Sequence, residues 1–155
     1  MHFPRLCLLV LAAGATAGCA SMPRSAPPGP AAVAREAIEQ LFNRGDLGAA
    51  DRLFSPELAA EERDFTMVIR RAFPGIHLTA DRVIEQRDWV AIHWTATGVH
   101  AGDFGDLKAT GRMVTWSGAW FWRVENGRVV DGKQFNVWDR FGLRAQLTAS
   151  TEEAP

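Results

Sequence analysis

Asp139 follows Trp138 at the close of a run that opens with Ala119-Trp120-Phe121-Trp122 and turns at Asn126-Gly127. A carboxylate ending such a hairpin beside aromatic residues can be the one titratable group in the wall of an apolar pocket. His100 is the second candidate, because strand alternation gives it the same parity as Ile92 and Trp94. It can orient a substrate carbonyl or share a proton with Asp139, or it is a hydrogen-bonded structural histidine at a strand end. Asp139 has an ordinary alternative of its own, as the residue that caps the segment after it. Trp94, Trp120, Trp122, Phe135 and Trp138 are candidate walls for a flat apolar ligand, or core residues, divided by parity. Asn43 can reach such a cavity or shape a turn. No set of histidines and carboxylates has metal-ligand spacing, so no metal site is expected. Ser117 and Thr115 lack a paired base, so nucleophilic catalysis is not supported.

These side chains need a sheet and something to pack it against. Residues 32 to 42 place Val33, Ala37, Ile38, Leu41 and Phe42 near helical spacing, and Gly45 suits the left-handed position that ends a helix. Asp46 can cap a second, short helix running through Leu53 and Phe54. Ser55-Pro56 starts a third, with Leu58, Phe65, Val68, Ile69, Ala72 and Phe73 as its apolar stripe and Pro74-Gly75 as its stop. The remainder reads as strand. Residues 76 to 86 and 89 to 100 are joined by a turn at Arg87-Asp88. Residues 113 to 124 and 129 to 138 form a hairpin about Asn126-Gly127, whose type I′ turn requires positive φ at both positions. Helices followed by antiparallel strands predict an α+β domain with helices on one face of a curved sheet.

Net charge is −1, from 17 basic and 18 acidic residues, so no large basic field exists to attract nucleic acid. The two cysteines are Cys7 and Cys19, both ahead of the domain, which excludes a disulfide framework within it. Residues 6 to 17 form an apolar run too short for a comfortable membrane span. Thr16-Ala17-Gly18-Cys19 then resembles a bacterial lipobox, which implies acylation of Cys19 and residence in the cell envelope, at the outer membrane or periplasmic face. An ordinary export signal with Cys19 as a stray thiol is the alternative. Residues 1 to 18 are thus read as a signal peptide and 19 to 31 as a tether rich in Pro, Ala and Ser. The domain spans 32 to 148, and 149 to 155 are a tail.

Several spread-out strings resemble the SnoaL-like polyketide cyclase family. Phe73-Pro74-Gly75-Ile76 is similar to its "FPD-hydrophobic" step, and Trp94 to Gly102 (WTATGVHAG) to its "W-x-x-x-G-T-H-x-G". Thr110-Gly111-Arg112 resembles its "T-G-R/K", and Asp139, Gly142-Leu143 and Gln146-Leu147 its closing "D-x-x-G-L-x-x-Q-L". The resemblance implies a nuclear-transport-factor-two-like fold, a cone-shaped curved antiparallel sheet against about three N-terminal helices enclosing an apolar cavity. It also implies that Asp139 matches an aspartate acting as general acid/base in a cofactor-free aldol ring closure on a hydrophobic carbonyl compound. A carboxyl crowded by Trp and Phe loses hydration, its pKa rises, and it can take and return a proton near neutrality. Two other functions stay open. One is a non-catalytic lipoprotein that binds a small hydrophobic molecule; the other is an interaction module forming a homodimer through the open sheet face.

Overall fold

In this computed structural model the described residues are 27–132 and 137–149. The order is helix α1 (Pro30–Ala37), a π-helical continuation (Ile38–Arg44), α2 (Ala49–Leu53), α3 (Pro56–Ala72), β1 (His77–Gln86), β2 (Trp89–Val99), β3 (Met113–Glu125), β4 (Arg128–Asp131), β5 (Val137–Trp138) and α4 (Arg140–Thr148). The strands form one antiparallel sheet in the order β1-β2-β3-β4, with β5 pairing to β3 beyond β4. The fold class is therefore α+β, as the pattern of elements predicts.

Strand parity decides which face meets the helices. Val90, Ile92, Trp94 and Ala96 of β2 and Val114, Trp116, Trp120, Trp122 and Val124 of β3 are all buried. The intervening residues point outward, and Ile84, Ala91 and Phe121 form one row across that outer face. A bulge at Asp81 shifts the register between Ala80 and Arg82, and a second irregularity falls between Arg123 and Val124. Each adds local twist and so bends the sheet. The Asn126-Gly127 turn has φ of 50° and 77°, and Glu125 pairs directly with Arg128, as a two-residue type I′ hairpin requires.

The strand expected over 129 to 138 is interrupted. β4 stops at Asp131, and Gly132 follows with φ of 146°, a conformation that L side chains rarely adopt. A Cβ at Gly132 would lie 2.4 Å from the Trp122 ring, so glycine also allows the close approach there. Farther along, the β3 edge is completed by a side chain. Gln146 Nε2 donates to the Thr115 carbonyl at 2.7 Å, and the Thr115 N–H donates to Gln146 Oε1 at 3.0 Å.

The first helix widens after Ala37 into π geometry and ends at Gly45 with φ of 73°. Arg70 of α3 lies across Gly45 and donates to the carbonyl of Phe42. Asn43 clamps this segment to β1, with Oδ1 accepting from Leu78 N–H at 2.8 Å and Nδ2 donating to the Leu78 carbonyl at 3.1 Å. The α3 stripe differs from the expected one. Ala59, Thr66, Ile69 and Ala72 are the buried residues, whereas Phe65 and Val68 are 39% and 56% exposed. The helix is rotated so that small residues approach the sheet, and the larger apolar ones lie at its flank.

Candidate functional site

A pocket of about 220 Å³ lies between α3 and the helix-facing side of the sheet. Phe42, Phe65, Ile69, Ile76 and Leu78 contribute its helical and β1 side, and Trp94, Ala96, Trp116, Trp120 and Trp138 its sheet side. The aromatic wall is built by mutual stacking. Trp120 lies between Phe42, 5.4 Å away at 26°, and Trp122, 5.0 Å away at 9°. Trp94 packs on Trp120 at 4.9 Å. The bulk of these rings is possible because Gly118 faces Trp94 across the β2–β3 pair: a Cβ there would lie 2.3 Å from the indole Cζ2.

Two carboxylates also line this space, Glu61 and Glu62. Glu62 is half-buried, and burial pushes its pKa up to about 7, with the like charge of Glu61 adding to the effect. Among the described residues no donor or cation is paired with Glu62. A carboxyl that titrates near neutrality can serve as both acid and base. Among the described residues the buried Trp94 Nε1–H has no hydrogen-bond partner. Such an orphaned donor costs about 1–3 kcal/mol when nothing meets it.

Glu62 is the group that the sequence reading missed. A glutamate in a helix ordinarily reads as the solvent side. Its spacing was the available signal: Glu62 lies three residues after Ala59, four before Thr66 and seven before Ile69, on the buried stripe.

The structure does not bring Asp139 and His100 together at the pocket. Asp139 is exposed, and its carboxylate caps α4 by accepting from Gly142 N–H at 2.7 Å. It does not line the pocket, and the capping alternative describes its surroundings. The glycine at 142 is part of the device, since a Cβ there would sit 2.0 Å from the Asp139 carboxylate.

His100 is fully buried beneath Phe73, 5.3 Å away, with Nδ1 3.1 Å from the Thr110 hydroxyl. Its backbone N–H donates to the Arg112 carbonyl, and its own carbonyl accepts from Thr110 and Gly111. The Thr-Gly-Arg string thus folds around His100 and fixes the loop over residues 101 to 112. Burial lowers the His100 pKa, against the opposing charge of Asp103, which favours a neutral ring.

Asn43 uses its amide on Leu78 and on Glu39, so it positions an element and does not line the pocket. Of the candidate walls, Trp94, Trp120 and Trp138 line the pocket, while Trp122 stands behind Trp120 and borders a smaller recess with Phe54 and Leu58. Phe135 and Cys19 lie outside the described residues. Among the described residues no group of three or more His, Cys, Asp or Glu side chains could hold a metal ion, and no helix is long and apolar enough to cross a membrane.

This architecture, a curved sheet backed by helices with an aromatic pocket between them, is that of the nuclear-transport-factor-two-like proteins. The description "SnoaL-like polyketide cyclase" matches residues 32–147, and the chain belongs to that family. Among solved structures it is similar to AclR, a proposed hydroxylase from Streptomyces galilaeus, with 25% identity, a TM-score of 0.69 and coverage of 80% of this chain and 83% of that one. It is also similar in fold to IdmH, a proposed polyketide cyclase from Streptomyces antibioticus, with 22% identity, a TM-score of 0.63 and coverage of 77% and 99%. A SnoaL-like polyketide cyclase from Agrobacterium tumefaciens shares 15% identity at a TM-score of 0.62, over 74% of this chain and 94% of that one. Among curated proteins no sequence matches this chain.

Proposed function

We propose that the pocket takes a small hydrophobic carbonyl compound and that Glu62 moves a proton at the carbon next to that carbonyl. The observation that carries this reading is the place of Glu62 in the wall of an aromatic pocket, where burial pushes its pKa up to about 7. The ionised Glu62 takes the α-proton. The C–H electron pair forms a carbon–carbon double bond, and the carbonyl π pair moves to oxygen as an enolate. The neutral Glu62 then returns the proton. It goes to carbon in an isomerisation, or to the alkoxide left when the enolate carbon attacks a second carbonyl and closes a ring.

The test is deuterium exchange at the α-carbon of 1-tetralone and related aryl ketones in heavy water, followed by proton NMR. Catalysed exchange is expected to rise as pH passes through about 7. Glu62→Gln is expected to slow it by about 100-fold or more, the usual contribution of a positioned general base, with Asp139→Asn within about twofold of wild type. Loss of exchange in Asp139→Asn with full activity in Glu62→Gln would return the role to Asp139. A wild type that exchanges none of the ketones would sink the acid/base reading.

The second reading is binding without chemistry. The lipobox-like Thr16 to Cys19 string favours it, because it suggests a lipid-anchored protein of the bacterial envelope, apart from cytoplasmic biosynthesis. An outer sheet face carrying Ile84, Phe121 and Val137, which are 65%, 44% and 65% exposed, supports a homodimer in either case.

A further inference from the structure

We infer that a second site lies outside the aromatic pocket, in a groove between α4, the turn at residues 104–107 and Val68 of α3, and that it takes the anion of a small apolar carboxylic acid with the carboxylate on Arg140. The inference goes beyond the Glu62 reading and does not depend on it.

The groove follows from spacing along α4. Arg140, Leu143, Arg144 and Leu147 recur at steps of three and four, so they share one face of the helix, and all of them line the groove. Leu143 and Leu147 are buried and form its floor. Phe104, Leu107 and Val68 supply further apolar surface, and Trp138 stands at the Arg140 end. The space is about 460 Å³, within the range of small-molecule sites. Trp138 is the one described residue that it shares with the aromatic pocket.

The wall is set before a ligand arrives. Phe104 and Leu107 exchange both backbone hydrogen bonds, at 2.9 and 3.1 Å, around Gly105, whose φ is 60°. Arg144 clips this turn to α4, donating from both Nη atoms to the two Asp106 oxygens at 2.9 Å. The hydrogen bonds from Arg144 hold the Asp106 carboxyl down at about 2, so the pair stays ionised and matched near neutral pH.

Charge then selects the guest. Asp106 and Arg144 cancel, which leaves Arg140 as the net charge of the described lining. Arg140 is exposed and therefore reachable. Its guanidinium lies over the Trp138 ring, 5.2 Å from the centroid. That contact draws on the electrons of the ring and consumes no N–H. Among the described residues no carboxylate pairs with Arg140, so its N–H fork is left for a planar anion, and a carboxylate fits it with two parallel hydrogen bonds. Asp139, next along the chain, accepts from Gly142 N–H and does not line the groove. A cation finds no counterpart, because Asp106 is engaged on both oxygens. From Arg140 to Leu147 the helix rises about 10 Å, the reach of a chain of about eight carbons.

The experiment titrates the full chain with octanoate, octanamide and octylammonium, one chain length in three charge states, by calorimetry and methyl NMR. Octanoate is expected to bind with a Kd of about 1 mM. It should bind about five- to tenfold more tightly than octanamide, the contribution of a charge-assisted pair at a partly sheltered site. The methyl resonances of Leu107, Leu143 and Leu147 should move, while those of Ile76 and Leu78 in the aromatic pocket stay in place. Arg140→Gln should reduce the preference to within about twofold, and Arg140→Lys, which keeps the charge and loses the fork, should retain part of it. Arg140 is exposed, so neither change disturbs the core, and the methyl spectrum checks the fold of each variant. Octanamide binding as tightly as octanoate, tightest binding of octylammonium, shifts confined to Ile76 and Leu78, or an unchanged preference in Arg140→Gln would each overturn the inference. No shift at any groove methyl would also overturn it and leave the groove to a larger partner. The Glu62 reading is tested separately: loss of α-exchange in Glu62→Gln with the octanoate preference intact would support both, and a wild type without exchange would leave this site standing.

Discussion

Replacing Glu62 by Gln isolates the physical claim beneath the proposed chemistry. The carboxyl lies on the sheet-facing stripe of α3, and burial raises its pKa from 4.5 to about 7. The folded state therefore binds this proton more tightly than the unfolded chain does. Whatever stability the protonated group allows is fully present below pH 4.5 and is lost as pH rises through about 7. The separation of the two values corresponds to about 3 kcal/mol, and solvent at the pocket mouth trims it to about 2–3 kcal/mol. Glutamine has the same shape and never ionises, so Glu62→Gln should match wild type near pH 4 and exceed its stability by about 2–3 kcal/mol at pH 8. Urea unfolding at half-unit steps of pH, with linear extrapolation to water, measures the gap. A gap that stays flat across pH would show Glu62 to be an ordinary solvated carboxylate, and the proton-transfer role would fall with it. A Gln variant less stable than wild type at pH 8 would mean that the charged form has a partner in the fold.

Asp139→Ala removes the α4 cap and should lower stability by about 1 kcal/mol, read as a shift in urea midpoint, with α-exchange unchanged. His100 is buried with its pKa lowered, so its contribution is present above pH 6.5 and lost as pH falls through its folded value. His100→Gln should therefore flatten the fall in stability between neutral and acid pH in the same unfolding series. Cys19→Ser in the native host should move the protein from the membrane to the soluble fraction, read by fractionation. Sedimentation at micromolar concentration should show a dimer that an Asp in place of Phe121 converts to monomer.

The fold was legible where one rule decided each element. Alternation in WVAIHWTA and in VTWSGAWFWRV put every even residue on one face, and that face is the buried one. Asn126-Gly127 specified its hairpin because positive φ at both turn residues leaves few other choices. The site was less legible. Asp139 next to Trp138 looks the same in sequence whether it faces a pocket or a helix N-terminus, and only the following Gly142 marks the cap. His100 has the parity of the aromatic wall, yet it is taken up by Thr110 to Arg112, a contact that alternation within one strand does not encode. Glu62 is hard to read from the sequence because the α3 face toward the sheet carries Ala59, Thr66 and Ala72 beside Ile69, and all but Ile69 are weak hydrophobic signals. Ile69 and Ala72 of the expected stripe are buried, whereas Phe65 lies at the pocket edge and Val68 is mostly exposed.

Gln146 gives β3 an ending that no strand provides. Among the described residues β5 pairs with β3 at Gly118 and Ala119, so the stretch near Thr115 would otherwise present a free N–H and carbonyl to any extended chain that approached. The glutamine amide sets an N–H and a carbonyl oxygen side by side as a peptide group does, and both meet Thr115, while Nε2 also donates to the Gly142 carbonyl of its own helix. α4, brought into place by Asp139, carries a one-residue counterfeit of a neighbouring strand. A second copy of the protein, wherever it is concentrated, finds that part of the sheet margin already spoken for. Asp139, by capping α4, thereby contributes at a distance to closing that part of the sheet edge.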